Sequence, residues 1–182
     1  MQNGRPPMNV LHTARLTLRP LRTDDIDTVM TLASDPRVMA PLGGPLSEPE
    51  TRTWLDRQIA HIDEHGYGRC VVTRGGEFVG LVGLSRFDFD RGLVPGIEVA
   101  WRLSFAHWSR GYATEAARAI IDQGFTLFDL SEVIAVTSVD NDRSRRVMDR
   151  LGMLHSPNED FDHPLLPEGD PLRRHVVYRL RR

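Results

Sequence analysis

The sequence predicts a single α+β domain, and three features of its hydrophobic pattern carry that prediction. Segments 15–21 and 96–103 alternate polar and apolar side chains, which is typical of strands that bury one face. After Gly111, apolar side chains recur with the helical period as far as Phe128. Strands and helices then follow one another irregularly along 182 residues, a length that suits one core.

Capping and turn residues set the limits of the other elements. Ser47 and Glu50 have the spacing of a capping box, and Gly75-Gly76 separates two strand-like runs as in a hairpin. Asn141 and Gly152 are suited to begin and end a short helix. The predicted order is strand 15–21, helices 23–33 and 47–65, strands 67–74, 77–87 and 96–103, helix 111–128, strand 132–138, helix 141–152 and strand 173–182.

Composition narrows the kinds of partner. The net charge is −2, so no excess of positive charge favours nucleic acid. No apolar run approaches membrane-spanning length, and the start MQNGRPPMNV lacks the apolar core of a secretory signal. The single cysteine, Cys70, excludes an internal disulfide and is expected to pack in a strand. We expect one cytoplasmic domain over residues 1–182 that binds neither nucleic acid nor a membrane, with 1–12 as a flexible segment.

The junction between strand 96–103 and the helix after Gly111 is a candidate anion site. A helix that begins beside a strand end offers free backbone N–H groups and the positive end of a dipole. The chain has no lysine and neither of the glycine-rich nucleotide motifs, so phosphates would be held mainly by backbone amides and Arg110. One glycine alone also fits a simple turn. His61 and His65 have metal-like spacing without a third ligand, so no metal is expected.

Three segments of the chain resemble the GNAT acetyltransferases, in the branch that includes the RimJ/RimL-like protein N-terminal acetyltransferases. IEVAWRLSFAHWSRGYATEAA (97–117) is similar to the segment of that family that binds acetyl-coenzyme A. DNDRSRRVMDRLGM (140–153) resembles the second conserved segment, and TARLTLRPLRTDDID (13–27) resembles the usual first strand and helix. The three matches occur in the order found in the family.

The resemblance implies the architecture of the fold and of the coenzyme site. It implies a mixed, mainly antiparallel sheet of about seven strands with about four helices, in which strands 96–103 and 132–138 splay apart. The pantetheine arm of acetyl-coenzyme A would lie along the exposed strand edge, and backbone amides near Gly111 would hold the pyrophosphate. The residues implied to bind the coenzyme are Val99, Ala100, Trp101, Ser109, Arg110, Gly111, Tyr112, Ala113, Thr114, Asn141 and Ser144.

The resemblance also suggests catalytic residues. Glu98, on the polar face of its strand, is the candidate base that accepts the proton of the amine, and an exposed strand carboxylate is the alternative. A backbone N–H near Val99 or Ala100 would stabilise the oxyanion. Many relatives place a tyrosine general acid where this chain has Met148, whereas the RimJ/RimL-like branch places a serine near the sulfur, which is Ser144 here.

Other departures affect the coenzyme and the acceptor. Trp108 stands where many relatives have Gln or Arg, and we expect it to pack the loop. Asn141 fits simple capping as well as coenzyme binding. The acidic loop 158–170, with Asp88 and Asp90, would attract a cationic amine if it bordered the acceptor side, and is otherwise a solvated surface. His163 and His175 are candidates for the same region.

The expected function is therefore N-acetyl transfer from acetyl-coenzyme A to a primary amine, of which a protein N-terminus is one example. Two alternatives stay open at this point. One is acetylation of a small-molecule amine such as a metabolite or an antibiotic. The other is a non-catalytic, coenzyme A-binding regulatory module, which the missing tyrosine suggests. The expected partners are a small-molecule or peptide amine, and the chain is expected to be a monomer or a homodimer.

Overall fold

The computed structural model describes residues 8–87 and 96–182, and Asp88 and Asp90 lie outside the described residues. The strands are β1 (Leu11–His12), β2 (Thr17–Pro20), β3 (Arg69–Arg74), β4 (Glu77–Phe87), β5 (Gly96–Leu103), β6 (Glu132–Ser138), β7 (Leu154–His155), β8 (Phe161–Asp162) and β9 (Arg174–Arg181). The helices are α1 (Ile26–Ala33), α2 (Pro36–Met39), α3 (Glu48–His65), α4 (Tyr112–Leu127) and α5 (Asp142–Leu151).

The described strands form one mixed sheet in the order β1-β2-β3-β4-β5-β6-β9-β7, with β8 paired to β9. Neighbouring strands are antiparallel except for β5 and β6, which run parallel. In the described residues β5 and β6 pair at one position only, Glu98 opposite Ile134. The two central strands therefore separate after Glu98, and the predicted splay is confirmed.

Helices cover both faces of the sheet because its strands carry apolar side chains on both sides. On one face, α1 and α3 pack Val29, Leu32 and Leu55 against Val71 and Leu81 of the sheet. On the other face lie α4 and α5. The buried residues of that second core include Leu84, Val99, Ala116, Ile120, Val133, Met148 and Leu151. Helices α1 and α3 therefore cover β3 and β4, whereas α4 packs on β4 and β5 and α5 packs beside β6.

The α+β architecture and the order of its main elements agree with the prediction. The helix over 47–65 begins with the expected capping box between Ser47 and Glu50, and the hairpin turns through Gly75 and Gly76. Cys70 is fully buried, as expected. The sequence did not predict the four-residue helix α2 or the two-residue strands β1, β7 and β8.

The N-terminal segment differs in part from the expectation of flexibility over residues 1–12. Within its described part, Met8 is buried, and Leu11 and His12 pair with β2. These residues are held because Met8 packs in the same core as Cys70. In the described parts of the chain, no helix is both long and apolar enough to cross a membrane.

Candidate active site

A cleft of about 630 Å³ opens where β5 and β6 separate. One wall is the second half of β5, and the other is formed by residues 135–138 of β6 and the first turns of α5. With one exception, Arg110, every residue that the sequence analysis proposed for catalysis or for coenzyme binding lines this cleft. The residues concerned are Glu98, Val99, Ala100, Trp101, Ser109, Gly111, Tyr112, Ala113, Thr114, Asn141 and Ser144.

One end of the cleft presents hydrogen-bond donors from the N-terminus of α4. Gly111 is the N-cap, with a φ of 79°, and it supplies no side chain to satisfy the first N–H groups of the helix. The hydroxyl of Thr114 is buried there without a hydrogen-bond partner in the described residues. Uncapped N–H groups and the helix dipole both favour an anion, so this end of the cleft suits a phosphate group.

Arg15 fixes the loop that precedes α4, a contact that the sequence analysis did not identify. Its guanidinium forms an ion pair of 2.6 Å with Glu115 and donates a hydrogen bond of 3.1 Å to the carbonyl of Arg110. It also lies over the ring of Tyr112, 4.7 Å from the centroid. Arg110 is exposed, and the contact described for it is made by its backbone rather than its side chain. Arg15, which lies just before β2, therefore holds the loop in this conformation through its contacts with Glu115, Arg110 and Tyr112.

Arginines of α5 also reach the cleft, and they were not predicted. Arg143, Arg146 and Arg150 line it from one side of the helix. Arg143 lies over the ring of Trp108, 4.4 Å from the centroid, while the indole N–H of Trp108 donates to the carbonyl of Leu103 at 2.8 Å. Trp108 therefore packs the loop as expected. The sequence contained a pattern that could have identified them: these arginines are spaced three and four residues apart, which places them on one face of a helix.

Glu98 lies at the point where β5 and β6 part. Its carboxylate is 17% exposed and lies 3.5 Å from the guanidinium of Arg69, which also donates to the hydroxyl of Ser85 at 3.1 Å. Burial raises the pKa of Glu98 above its ordinary value, although the charge of Arg69 and its hydrogen bond act in the opposite direction. Glu98 is therefore a half-shielded carboxylate that opens into the cleft, and not an ordinary exposed strand residue.

The start of α5 places Ser144 against the same cleft. The side-chain oxygen of Asn141 accepts from the backbone N–H of Ser144 at 3.3 Å, which is the predicted cap. The amide of Asn141 donates to the hydroxyl of Thr137 at 2.9 Å. The hydroxyl of Ser144 has no hydrogen-bond partner in the described part of the chain, so it is free to donate into the cleft. Met148 is buried and contributes an apolar surface.

The acidic loop 158–170 does not line the cleft as far as the structure describes it. Its carboxylates are engaged elsewhere: Glu159 with Arg179, Asp160 with His155, and Asp162 with Arg173 and Arg174. They therefore do not form a wall that a cationic acceptor would touch.

His175 does line the cleft, and the ring of His163 lies 5.1 Å from it. His61 and His65 contact each other and Tyr67. No group of three metal-ligating side chains occurs within residues 8–87 and 96–182.

Comparison with known proteins identifies the family. The model of the acetyltransferase (GNAT) domain matches residues 15–154. The FsC-acetyl coenzyme A-N(2)-transacetylase of Aspergillus fumigatus is 36% identical over 80% of this chain, and the match spans 65% of that enzyme's length. The structure of an acetyltransferase from Agrobacterium tumefaciens is 31% identical, with a TM-score of 0.78 over 100% of this chain and 99% of that one.

A further solved structure, which is a complex with coenzyme A, has the same fold. The ribosomal alpha-N-protein acetyltransferase RimL in complex with coenzyme A is 14% identical, with a TM-score of 0.77 over 95% of this chain and 98% of that one. At that identity the likeness is one of fold, and it agrees with the branch that the sequence motifs resemble. With a domain model matched over most of its length, this chain belongs to the GNAT acetyltransferases, enzymes that move an acetyl group from acetyl-coenzyme A to an amine.

Proposed function

We propose that this chain acetylates a primary amine and that Glu98 is the general base of the reaction. The observation that carries the proposal is the position of Glu98, a carboxylate of raised pKa at the splay between β5 and β6. An ammonium group cannot attack a thioester until it loses a proton, and a base works best when its pKa approaches the working pH. Burial of Glu98 moves its pKa in that direction.

Different residues of the cleft carry out the separate steps of the proposed acetyl transfer. Glu98 accepts the proton from the amine, directly or through a water molecule, and the nitrogen lone pair forms the bond to the acetyl carbon. A backbone N–H of β5 at Val99 or Ala100 stabilises the oxygen that becomes negative. The C–S bond breaks as the carbonyl re-forms, the second proton of the nitrogen passes to the departing thiolate, directly or through water, and the hydroxyl of Ser144 donates a hydrogen bond to that sulfur. A thiol pKa near ~8.5 makes the thiolate a leaving group that needs only such modest help.

The other end of the cleft fits the phosphates of acetyl-coenzyme A. When bound, the coenzyme supplies the activated acetyl group. Gly111 through Thr114 offer uncapped N–H groups and an unpartnered hydroxyl for the pyrophosphate. Arg143, Arg146 and Arg150 supply positive charge along the adjacent wall. The charged side chains that face the phosphates therefore come from α5 rather than from the loop before α4.

The acceptor is a primary amine, and both a protein N-terminus and a small-molecule amine are compatible with the cleft. The relative from Aspergillus fumigatus is named for transacetylation at an N(2) position, which supports nitrogen as the acceptor atom. We also propose that the chain acts as a monomer or a homodimer. A non-catalytic regulatory role is the less favoured alternative, because Glu98 and Ser144 both face the cleft.

Coenzyme A release tests this proposal. Acetyl-coenzyme A is incubated with the protein and a panel of amino acids, polyamines, aminoglycosides and short peptides with free N-termini, and products are identified by their mass. We expect thiol release with an added acetyl group on nitrogen for at least one class. Tight binding of acetyl-coenzyme A without turnover across the whole panel would contradict the proposal and favour the regulatory module.

A further inference from the structure

The charges on the Glu98 side of the cleft are unbalanced. Glu98 and Arg102 lie four residues apart in β5, so their side chains are on the same face of the sheet. Arg69 of β3 contacts Glu98 on that face. All three side chains line the cleft. The group therefore contains two guanidinium ions and one carboxylate, and the carboxylate is already 3.5 Å from Arg69.

Arg102 is the unpaired member of this group. In the described parts of the chain its guanidinium makes no hydrogen bond and no ion pair, and its closest recorded partner is the ring of Trp54, 5.6 Å from the centroid. Burial lowers the pKa of Arg102 to about 10, with a further lowering by the charge of Arg69, and Glu98 offsets this only in part. Arg102 is half-buried and lines the cleft, so its guanidinium is available to bind an anion there.

The neighbours of Arg102 indicate which anion it faces. Arg102 interacts electrostatically with Glu98 and Arg69. It also contacts Trp54 of α3, so its guanidinium lies on the same side of the sheet as the proposed base. The uncapped amides suited to phosphates lie beyond the end of β5, at the start of α4. Arg37, another arginine of the lining, is already held by Asp35 at 2.7 Å.

We propose that Arg102 binds a carboxylate of the acceptor, so that the substrate is a primary amine that also carries a carboxylate group. This inference rests on the proposed function, since it takes Glu98 as the place where the amine loses its proton. The planar fork of Arg102 matches a carboxylate with two parallel hydrogen bonds. The ring of Trp54 flanks this guanidinium, with its centroid 5.6 Å away.

The spacing of the two groups sets the shape of such an acceptor. Four residues along a strand separate the Cα atoms of Glu98 and Arg102 by roughly 13 Å, and both side chains extend into the same cleft. An acceptor whose amine and carboxylate are separated by several bonds therefore fits better than one that carries both on the same carbon. Free ω-amino carboxylic acids have this chemistry, and so do peptides with an acidic side chain near a free N-terminus.

The test compares acceptors in matched pairs. Linear amino carboxylic acids of increasing length and their primary amides are assayed by coenzyme A release, and acidic peptides are compared with their amidated forms in the same way. We expect the wild type to prefer the acid by about 10- to 100-fold in kcat/KM, the usual value of a charge-assisted hydrogen bond. The acceptor class with the larger preference, free amino carboxylic acids or acidic peptides, is the one that the site recognises better.

Variants assign the preference to Arg102. Arg102→Gln is expected to lose the preference for acids while it retains acetylation of the amides and affinity for acetyl-coenzyme A. Arg102→Lys keeps the charge without the fork and should retain a reduced preference. Arg52→Gln is the matched control and should keep the wild-type ratio, because Arg52 lies outside the cleft lining and its guanidinium is paired with Glu48. Rates are compared at the plateau of each pH profile, since Arg102 also lowers the pKa of Glu98.

Each other result overturns the inference. A wild type that acetylates amines but does not distinguish acids from amides contradicts it and leaves the proposed function intact. Loss of acetyl-coenzyme A affinity in Arg102→Gln, with the acid preference retained, would assign Arg102 to the coenzyme phosphates. Absence of turnover on every amine would overturn the proposed function and this inference with it. If Arg102→Gln does not fold, inhibition of the wild type by carboxylates that lack the amine, but not by their amides, decides the question.

Discussion

At the residue scale, the site depends on a few side chains whose neighbours change their chemistry. Glu98, the proposed base, has a raised pKa because burial outweighs the charge of Arg69. Ser144 can donate to sulfur because the cap of α5 uses its backbone N–H and leaves its hydroxyl free. Neither property is visible in the residue type. Each follows from where the backbone places the group and from what lies next to it.

Ser144→Ala is expected to lower turnover more than coenzyme affinity. A hydrogen bond to sulfur strengthens as negative charge grows there, so it acts mainly in the transition state. Steady-state kinetics with calorimetric acetyl-coenzyme A affinity separates the two effects. Ser156→Ala, outside the cleft lining, is the control for serine removal. A change confined to the Michaelis constant for acetyl-coenzyme A would show that Ser144 is only a binding contact.

Arg69→Gln is expected to move the pH profile of acetyl transfer to higher pH. Burial raises the pKa of Glu98, and the positive charge of Arg69 is the main force that lowers it, so the variant's pKa rises further. Glu98 acts in its deprotonated form, and the rate therefore needs a higher pH to reach its plateau. Arg74→Gln, at the exposed end of the same strand, serves as the control. An unchanged profile would separate Glu98 from the titration that governs the rate.

At the element scale, the N-termini of α4 and α5 form two sides of the proposed coenzyme site. Both helices begin within the cleft, and each begins in a different way. The N-cap of α4 is Gly111, which supplies no side chain, whereas Asn141 caps α5 with its side-chain oxygen. The uncapped helix is the one whose N–H groups stay available for a ligand, and the capped helix orients its arginines and Ser144.

Gly111→Glu is expected to weaken acetyl-coenzyme A binding strongly. The new carboxylate would lie at the N-terminus of α4, where it repels the pyrophosphate and competes with it for the N–H groups. Gly152→Glu is the matched control, because Gly152 has a φ of 80° and ends α5 with open space around it. Calorimetry is the measurement. Equal affinity in a folded Gly111→Glu variant and in the control would contradict the assignment of this loop.

Asn141→Ala is expected to cost about 1 kcal/mol of stability, the usual value of an N-cap. For a domain of this size that corresponds to a fall of about 2–4 °C in Tm. The hydroxyl of Thr137 also loses its partner. Calorimetric melting checks the loss, and Asn141→Ser should restore most of it because serine also caps. A stable variant with weakened acetyl-coenzyme A binding would instead make Asn141 a coenzyme contact.

At the scale of the whole molecule, the cleft joins walls that come from different parts of the chain. One wall belongs to β5 and the loop before α4, and the other to β6 and α5. A ligand that contacts both walls binds only the folded state and therefore stabilises the entire domain.

Acetyl-coenzyme A at about 100 times its Kd is expected to stabilise the fold by about 2.7 kcal/mol, which corresponds to a rise in Tm of about 5–10 °C. Differential scanning calorimetry measures it. Pantetheine, which lacks the phosphates, is the control ligand and should give a much smaller rise at the same concentration. Equal shifts for the two compounds would contradict the role given to α4 and the arginines of α5.

Much of this molecule could be predicted from its sequence, and the omissions have physical reasons. The alternation of β5, the caps of α3 and α5 and the motifs around Gly111 are local signals, and they located the elements and most of the cleft lining. The contact between Arg69 and Glu98 depends on the register of β3, β4 and β5, which no local pattern contains. Arg102 was visible as a residue on the face of Glu98, but its lack of a partner is a property of the packed structure.

The loop 158–170 illustrates the same limit. Its carboxylates are dense in the sequence, yet Glu159 is paired with Arg179, and Asp162 is paired with Arg173 and Arg174. Charge density along the chain therefore said little about the field in the cleft. The cationic character near Glu98 comes instead from arginines that are far apart in sequence.

The pH dependence of acetyl transfer by Glu98→Gln tests the central claim most directly. The variant keeps the shape of Glu98 without its basic site, so acetyl-coenzyme A affinity should stay near the wild-type value while transfer falls by about 10²- to 10⁴-fold. The wild-type rate should rise with pH through an apparent pKa that belongs to Glu98, to the amine or to the coupled pair. In the variant that rise should move towards the pKa of the free amine. A variant that keeps both the rate and the profile of the wild type would contradict the account, because another group would then have to take the proton.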